Sequence, residues 1–227
     1  MDKKATKKEE WKAQTKEQEN RRPLTKAEQL RKERFEAQKA ELEAQGYRTE
    51  DLTIGLVYAN VMAIVLGLPV VIILGICFFL RLNYAPVNGE AGLYGFLLFC
   101  VVFVILIFVH ELIHGIFWSI SAKNRWKSIS FGFIAKYLTP YCTCSEPLGK
   151  IQYIVGAVMP TIILGIFPAL AAIATGSVFL FVIGAVMIFA GGGDLTIILK
   201  LLRHKSGGND TIYIDHPYQA GLVAFCR

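Results

Sequence analysis

The chain has 227 residues, 54% of them hydrophobic, yet a formal net charge of +6 from 24 Lys/Arg against 18 Asp/Glu. The first fifty residues hold 14 of the basic and 11 of the acidic side chains, so charge and apolarity are segregated along the sequence. That excludes a single soluble core and predicts a charged arm, residues 1–50, followed by a membrane domain, residues 51–227. The arm alternates in sign, a poor grip for a phosphate backbone, and no nucleic acid is expected as a partner.

Residues 1–20 have the composition of a disordered segment. The arm is too charged and too long to open a cleaved signal peptide, so none is expected. Thr25-x-x-Glu28 is a capping box and predicts a helix from about Lys26 to Ala44, ending near Gly46. Its apolar positions (Leu30, Phe35, Leu42) are sparse. A solvated helix is the plain expectation, and a helix that docks on a partner or on the membrane surface the sharper one.

Four apolar blocks follow, at about 54–80, 93–120, 151–175 and 177–202, each long enough to cross ~30 Å of hydrocarbon as a helix. The short Ala-Thr-Gly-Ser turn at 174–177 makes the last two an antiparallel pair. Pro160 and Pro168 should kink the third block and free carbonyls that need a buried partner or water. The segment after the second block carries Lys123, Arg125, Lys127, Lys136 and Lys150, and the fourth block leads through Lys200, Arg203 and Lys205 into a tail, 203–227. The loop after the first block has only Arg81 and Glu90. The bias places both termini and the middle loop in the cytoplasm of a multi-pass protein integral to the cell membrane. Ile129, Phe131 and Phe133 alternate with small or polar residues, and residues 211–217, TIYIDHP, also have strand character. The expected fold is therefore all-α integral membrane: four transmembrane helices, a cytoplasmic helical arm and short cytoplasmic β segments. The five cysteines are read as reduced and structural, with Cys142 and Cys144, too close for an easy disulfide, as a minor metal-binding alternative.

Inside the second block stands FVHELIHGIF, residues 108–117. Ionisable side chains at such depth are expensive and default to function. On a helix His110 and His114 lie one turn apart on one face, close enough for both imidazoles to reach one metal ion. Glu111 is rotated by about 100° from the first histidine and is placed to act as the base for a water activated there. Gly115 leaves room for substrate or a neighbouring helix.

Two histidines do not complete a catalytic zinc site, which takes three protein ligands and one open position. His110 and His114 precede Lys123 by 13 and 9 residues, and Asp194 precedes Lys200 by six, so all three lie in the cytoplasmic halves of their blocks. Asp194, after three glycines, is the expected third ligand, with helix capping as its alternative role. Glu146, His204 and His216 are weaker candidates, because the first two sit in or beside basic segments and the third reads as a turn after a strand.

HELIHG on the second of four spans, GGGDL on the fourth, YCTCSEPL before a Pro-bearing span, and the tail YIDHPYQAG together resemble the putative zincin peptidases, small and mostly bacterial membrane proteins. The resemblance covers about residues 93–221 and leaves the arm outside. More distantly the arrangement is similar to site-2 proteases, with HExxH on one span and an Asp on a later one. The resemblance implies His110, His114 and Asp194 as zinc ligands and Glu111 as base. Asp194 departs from the site-2 pattern in being followed by Leu195 rather than glycine, and there is no PDZ-like domain.

The expected function is an intramembrane zinc metalloprotease that cuts membrane-embedded proteins or peptides near the cytoplasmic face. Zn2+ is its cofactor, and Ile129, Phe131 and Phe133 offer a strand edge on which an unwound substrate is held. The alternative is a non-catalytic zinc-binding scaffold or pseudoprotease acting through a partner of the arm, against which Glu111 stands: a structural site needs no base beside its ligands.

Overall fold

The structure, a computed structural model, describes residues 23–82, 92–134, 139–205 and 210–227. The disorder expected for residues 1–20, the loop charge at Glu90 and Lys136 lie outside the described residues.

Helix α1, Lys26–Ala44, begins at the predicted capping box: the Glu28 amide donates to Thr25 Oγ1, and the Thr25 amide donates to Glu28 Oε2 at 2.8 Å. Gly46 then takes a left-handed turn, φ 91°, into strand β1, Arg48–Asp51. Helix α2 is Leu56–Leu82 and α3 is Leu93–Ser121. A short 3₁₀ turn, Arg125–Ser128, leads to β2, Ile129–Ile134, which pairs antiparallel with β3, Thr139–Cys144. Helix α4, Lys150–Pro160, runs through a π-helical stretch, Thr161–Ile166, into α5, Phe167–Thr175. The π stretch lies between Pro160 and Pro168, where two missing N–H donors disturb the α ladder; in place of the expected kink the helical winding changes and Lys150–Thr175 continues as one helix. After Gly176 come α6, Val178–Ala190, and α7, Gly192–Arg203, bent by 45° from each other at Gly191. Strands β4, Thr211–Asp215, and β5, Leu222–Cys226, end the chain.

Among the described residues, three helices are long and apolar enough to cross a membrane: Leu56–Arg81, Leu93–Ser121 and Lys150–Thr175. The bent pair α6–α7 makes a fourth if it counts as one span. Ile64 and Ile73 on α2 and Phe96 and Ile105 on α3 are more than half exposed, an apolar surface that water does not tolerate at this extent.

The protein is mostly helical, and the short β segments expected from the sequence belong to two small sheets that hold five strands among the described residues. The predicted segments at 129–134 and 211–215 are strands, and β1, β3 and β5 are their unpredicted partners. In the three-stranded sheet, order β1-β5-β4, the central β5 is apolar throughout because both its faces are covered. Val223 and Phe225 pack with Ile214 against Phe35 of α1. Leu222, Ala224 and Cys226 face the helices and join Trp118, Tyr153 and Leu201 in one core. The arm helix thus caps the sheet, and the sheet rests on the ends of the helices that carry the candidate site.

Candidate metal centre

His110 and His114 lie on the buried side of α3, and Asp194 lies in the first turn of α7. Glycines let these elements close together. A Cβ on Gly192 would collide with Ala63 of α2, and one on Gly156 of α4 would collide with the Trp118 ring of α3. Trp118 in turn stacks on His114, ring centroids 4.9 Å apart at 14°, and donates from its indole nitrogen to the Tyr153 carbonyl at 3.2 Å.

Three donor atoms converge. His110 Nε2 is 3.1 Å from Asp194 Oδ2, His114 Nε2 is 3.4 Å from the same oxygen, and the two Nε2 atoms are 3.1 Å apart. His110 and His114 are 6% and 3% exposed, so solvent does not stabilise this crowding. Tetrahedral zinc with bonds near 2.0–2.1 Å sets its ligand atoms about 3.3 Å apart, and the observed triangle matches that spacing. The donor set, two imidazoles and one carboxylate, also suits a zinc-class ion. The His/His/Asp group predicted from sequence is therefore brought together, and it fits one ion.

The orientation of His114 has a specific cause. Pro160 has no N–H, so the helical bond that residue 160 would make to the Gly156 carbonyl, four residues back, is absent. That carbonyl accepts from His114 Nδ1 at 2.8 Å, which fixes the tautomer and leaves the Nε2 lone pair facing the other donors. A proline on one helix thereby positions a metal-ligating atom on another. His110 Nδ1 is buried without a protein partner.

Glu111 is directed into a cavity of about 410 Å³ that also exposes His110, His114 and Asp194. One wall of the cavity is β3, contributing Thr139 to Thr143, and the turn His216–Gly221 lies opposite the helices. The register defines what β3 presents. Phe133 pairs with Pro140, which has no N–H, so that pair is of the non-hydrogen-bonded kind. Phe131–Cys142 and Ile129–Cys144 share its parity, so the amides of Cys142 and Cys144 point away from β2. The Cys144 amide indeed donates to Asp215 Oδ2 at 2.8 Å, and the Cys142 amide faces Glu111. Tyr153 donates its hydroxyl proton to the other Asp215 oxygen at 2.6 Å. Burial pushes the Asp215 carboxyl up to about 6 even though these two donors favour its charge, and burial likewise pushes the Cys144 thiol up to about 12.

Ile129, Phe131 and Phe133 are not among the residues lining the cavity. Ile129 and Phe131 instead occupy the space over Gly115, so the gap beside the motif is filled by β2 and not by a helix or open to substrate. Glu146 accepts from the Asn124 amide at 3.1 Å and side chain, which holds its carboxylate below its ordinary range and uses it to brace the 3₁₀ turn. His216 lines the cavity, and its Nδ1 accepts from the Gln219 amide at 3.1 Å. His204 lies elsewhere, against Glu50 and Cys226. The sequence reading missed Asp215 and β3. TIYIDHP did mark the strand that ends on Asp215, but its partners Tyr153 and Cys144 are 62 and 71 residues away.

Two histidines one turn apart on α3 and a carboxylate of α7 thus meet at one point, with Glu111 beside them on the wall of the same cavity. The profile of a family described as "Putative zincin peptidase" matches residues 103–208, just under half of the 227, and that stretch includes His110, Glu111, His114 and Asp194. The resemblance read from the sequence is thereby shown over those residues, and the family's description points to a metallopeptidase. No curated protein and no solved structure matches the chain.

Proposed function

We propose that the protein is an intramembrane zinc metalloprotease that hydrolyses peptide bonds of membrane-embedded substrates near the cytoplasmic face. The observation that carries the reading is the convergence of His110, His114 and Asp194 with Glu111 on the wall of one cavity. Bound by those three side chains, zinc would polarise the scissile carbonyl and lower the pKa of water towards neutrality. Glu111 takes a proton from the attacking water and delivers it to the leaving amine. A substrate helix hides its carbonyls in hydrogen bonds, so the cleaved segment must be extended. The edge of β3 turned away from β2 offers its carbonyls as acceptors beside the site, its Cys142 and Cys144 amides being directed to Glu111 and Asp215. In this arrangement Ile129 and Phe131 hold the hairpin against α3, and the edge presented to substrate belongs to the partner strand. Membrane-protein substrates and the bilayer are the partners that this reading requires.

Glu111→Gln is nearly isosteric and keeps all three donors. It should lower cleavage of a single-span substrate by about 10²–10⁴-fold while zinc content, measured by elemental analysis, stays at the wild-type level. Unchanged cleavage would remove the base from the mechanism and favour a scaffold. Orientation is tested separately. A cysteine placed at Asn88 should be labelled from outside intact cells and one at Asn124 should not, because the basic segments mark the cytoplasmic side. The reverse pattern would move the site to the other leaflet.

A further inference from the structure

Among the described residues, a second group of metal-ligating side chains lies away from the cavity: Glu50, His204 and Cys226, with donor atoms all within 4.8 Å of one another. They come from β1, from the residue capping α7, and from β5. Glu50 pairs with Ala224 across the β1–β5 ladder, and Cys226 is two residues further along β5, so the side chains of Glu50 and Cys226 share the face turned to the helices. His204 Nε2 is 2.9 Å from Glu50 Oε2 and 3.9 Å from Cys226 Sγ. Its other ring nitrogen, Nδ1, is 3.3 Å from the hydroxyl of Tyr213, a fully buried side chain of β4. The His204 side chain is only 5% exposed, whereas that of Glu50 is 56% exposed.

We propose that Glu50, His204 and Cys226 form a second metal site, for a zinc-class divalent cation with its fourth position open to solvent beside Glu50. The cation pins the end of α7 to strands β1 and β5. A thiolate in the donor set rejects magnesium and calcium, and a mixed thiolate, imidazole and carboxylate set is that of a borderline ion. Bonds of about 2.0–2.3 Å place ligand atoms roughly 3.3–3.8 Å apart. The sulfur–nitrogen separation is already near that range. The carboxylate must withdraw by about 0.5 Å to reach it, which an exposed, unbranched side chain does by rotating. Nδ1–H donated to the Tyr213 hydroxyl leaves the Nε2 lone pair facing both other donors, the outer-shell arrangement that fixes a metal-binding histidine. Binding releases the Cys226 thiol proton to solvent, and thiolate plus carboxylate balance the charge of the ion.

The site is distinguishable from the first because only it contains sulfur. Full-length protein in detergent, with His110→Ala and His114→Ala to disable the first centre, is stripped of metal and titrated with Co2+. The expected result is one equivalent bound with a thiolate-to-cobalt charge-transfer band, which Zn2+ abolishes. Cys226→Ser should remove the band, Cys142→Ser and Cys144→Ser should leave it, and Tyr213→Phe should weaken binding by about 10- to 100-fold. Absence of a thiolate band in the parent protein overturns the proposal, as does a band that survives Cys226→Ser. Should Cys226→Ser fail to fold, Glu50→Gln on its exposed side chain decides: Co2+ affinity lowered at least tenfold supports the site, and unchanged affinity overturns it.

Discussion

Helix α7 carries a donor at each end: Asp194 in its first turn, and His204 capping it about 15 Å further along. The two clusters use similar chemistry and differ most in the exposure of the carboxylate. Around Asp194 the donors sit on helices, two imidazole nitrogens are 3.1 Å apart, and both histidines are buried. Without an ion this grouping crowds two imidazole nitrogens and a carboxylate that meet solvent only through the cavity. Around His204 the carboxylate reaches into solvent and already makes a 2.9 Å hydrogen bond to the ring. That cluster has a comfortable state without metal. The carboxylates carry the contrast: Asp194 is 22% exposed and Glu50 56%, while the histidines of both clusters are buried.

The largest break between them comes from Asp194→Ala. Removing a direct ligand should lower zinc affinity at the first centre by more than the roughly 10–100-fold that loss of an outer-shell partner costs, and cleavage should fall with it. The thiolate band of the second cluster should be unchanged, since Asp194 lies a helix length away. Competition with a chelator measures the first effect, and cobalt spectra the second. If Asp194→Ala kept full zinc affinity, the third ligand would be another donor that lines the cavity, such as His216 or Asp215.

A smaller effect is expected from Pro160→Ala. The new N–H would claim the Gly156 carbonyl for the helix and compete with His114 Nδ1. Zinc affinity at the first centre should then fall by about tenfold, at the low end for an outer-shell partner, while the second cluster is untouched. Intact affinity would show that Trp118 stacking alone orients the ring.

What could be read in the sequence follows from how local each signal is. His110, Glu111 and His114 lie within five residues on one helix, so their geometry follows from helical periodicity. Asp194 was placed by depth, counted from the next lysine, and the glycines before it do mark the 45° bend. The helix at Lys26–Ala44 could be read because a capping box is a four-residue device. The three-stranded sheet could not be read. RTED is as charged as the arm around it, and LVAFC, buried on both faces, has no alternation to find. Strand β3 contains a proline, which argues against a strand unless the register puts it at a non-hydrogen-bonded position, as it does here. His204 looked solvated because its partners are 154 and 22 residues away. Pairing across such distances leaves no periodic trace.

The smallest effect sharpens the second cluster most. Glu50→Gln removes a charge from an exposed side chain but keeps an oxygen that can still accept from the ring, so the expected cost is about 0–1 kcal/mol. In metal-free protein the variant should therefore unfold within a degree or two of the parent, as followed by thermal melts in detergent. With zinc added in excess, the parent gains stability in proportion to the logarithm of zinc over its dissociation constant. The variant, holding the ion by two ligands, should gain less. The diagnostic is the difference between the two conditions and not either melt alone. A plain hydrogen bond between Glu50 and His204 would give the same shift with and without zinc. A shift that opens only when zinc is present, in protein whose first centre is disabled, belongs to an ion held by Glu50, His204 and Cys226.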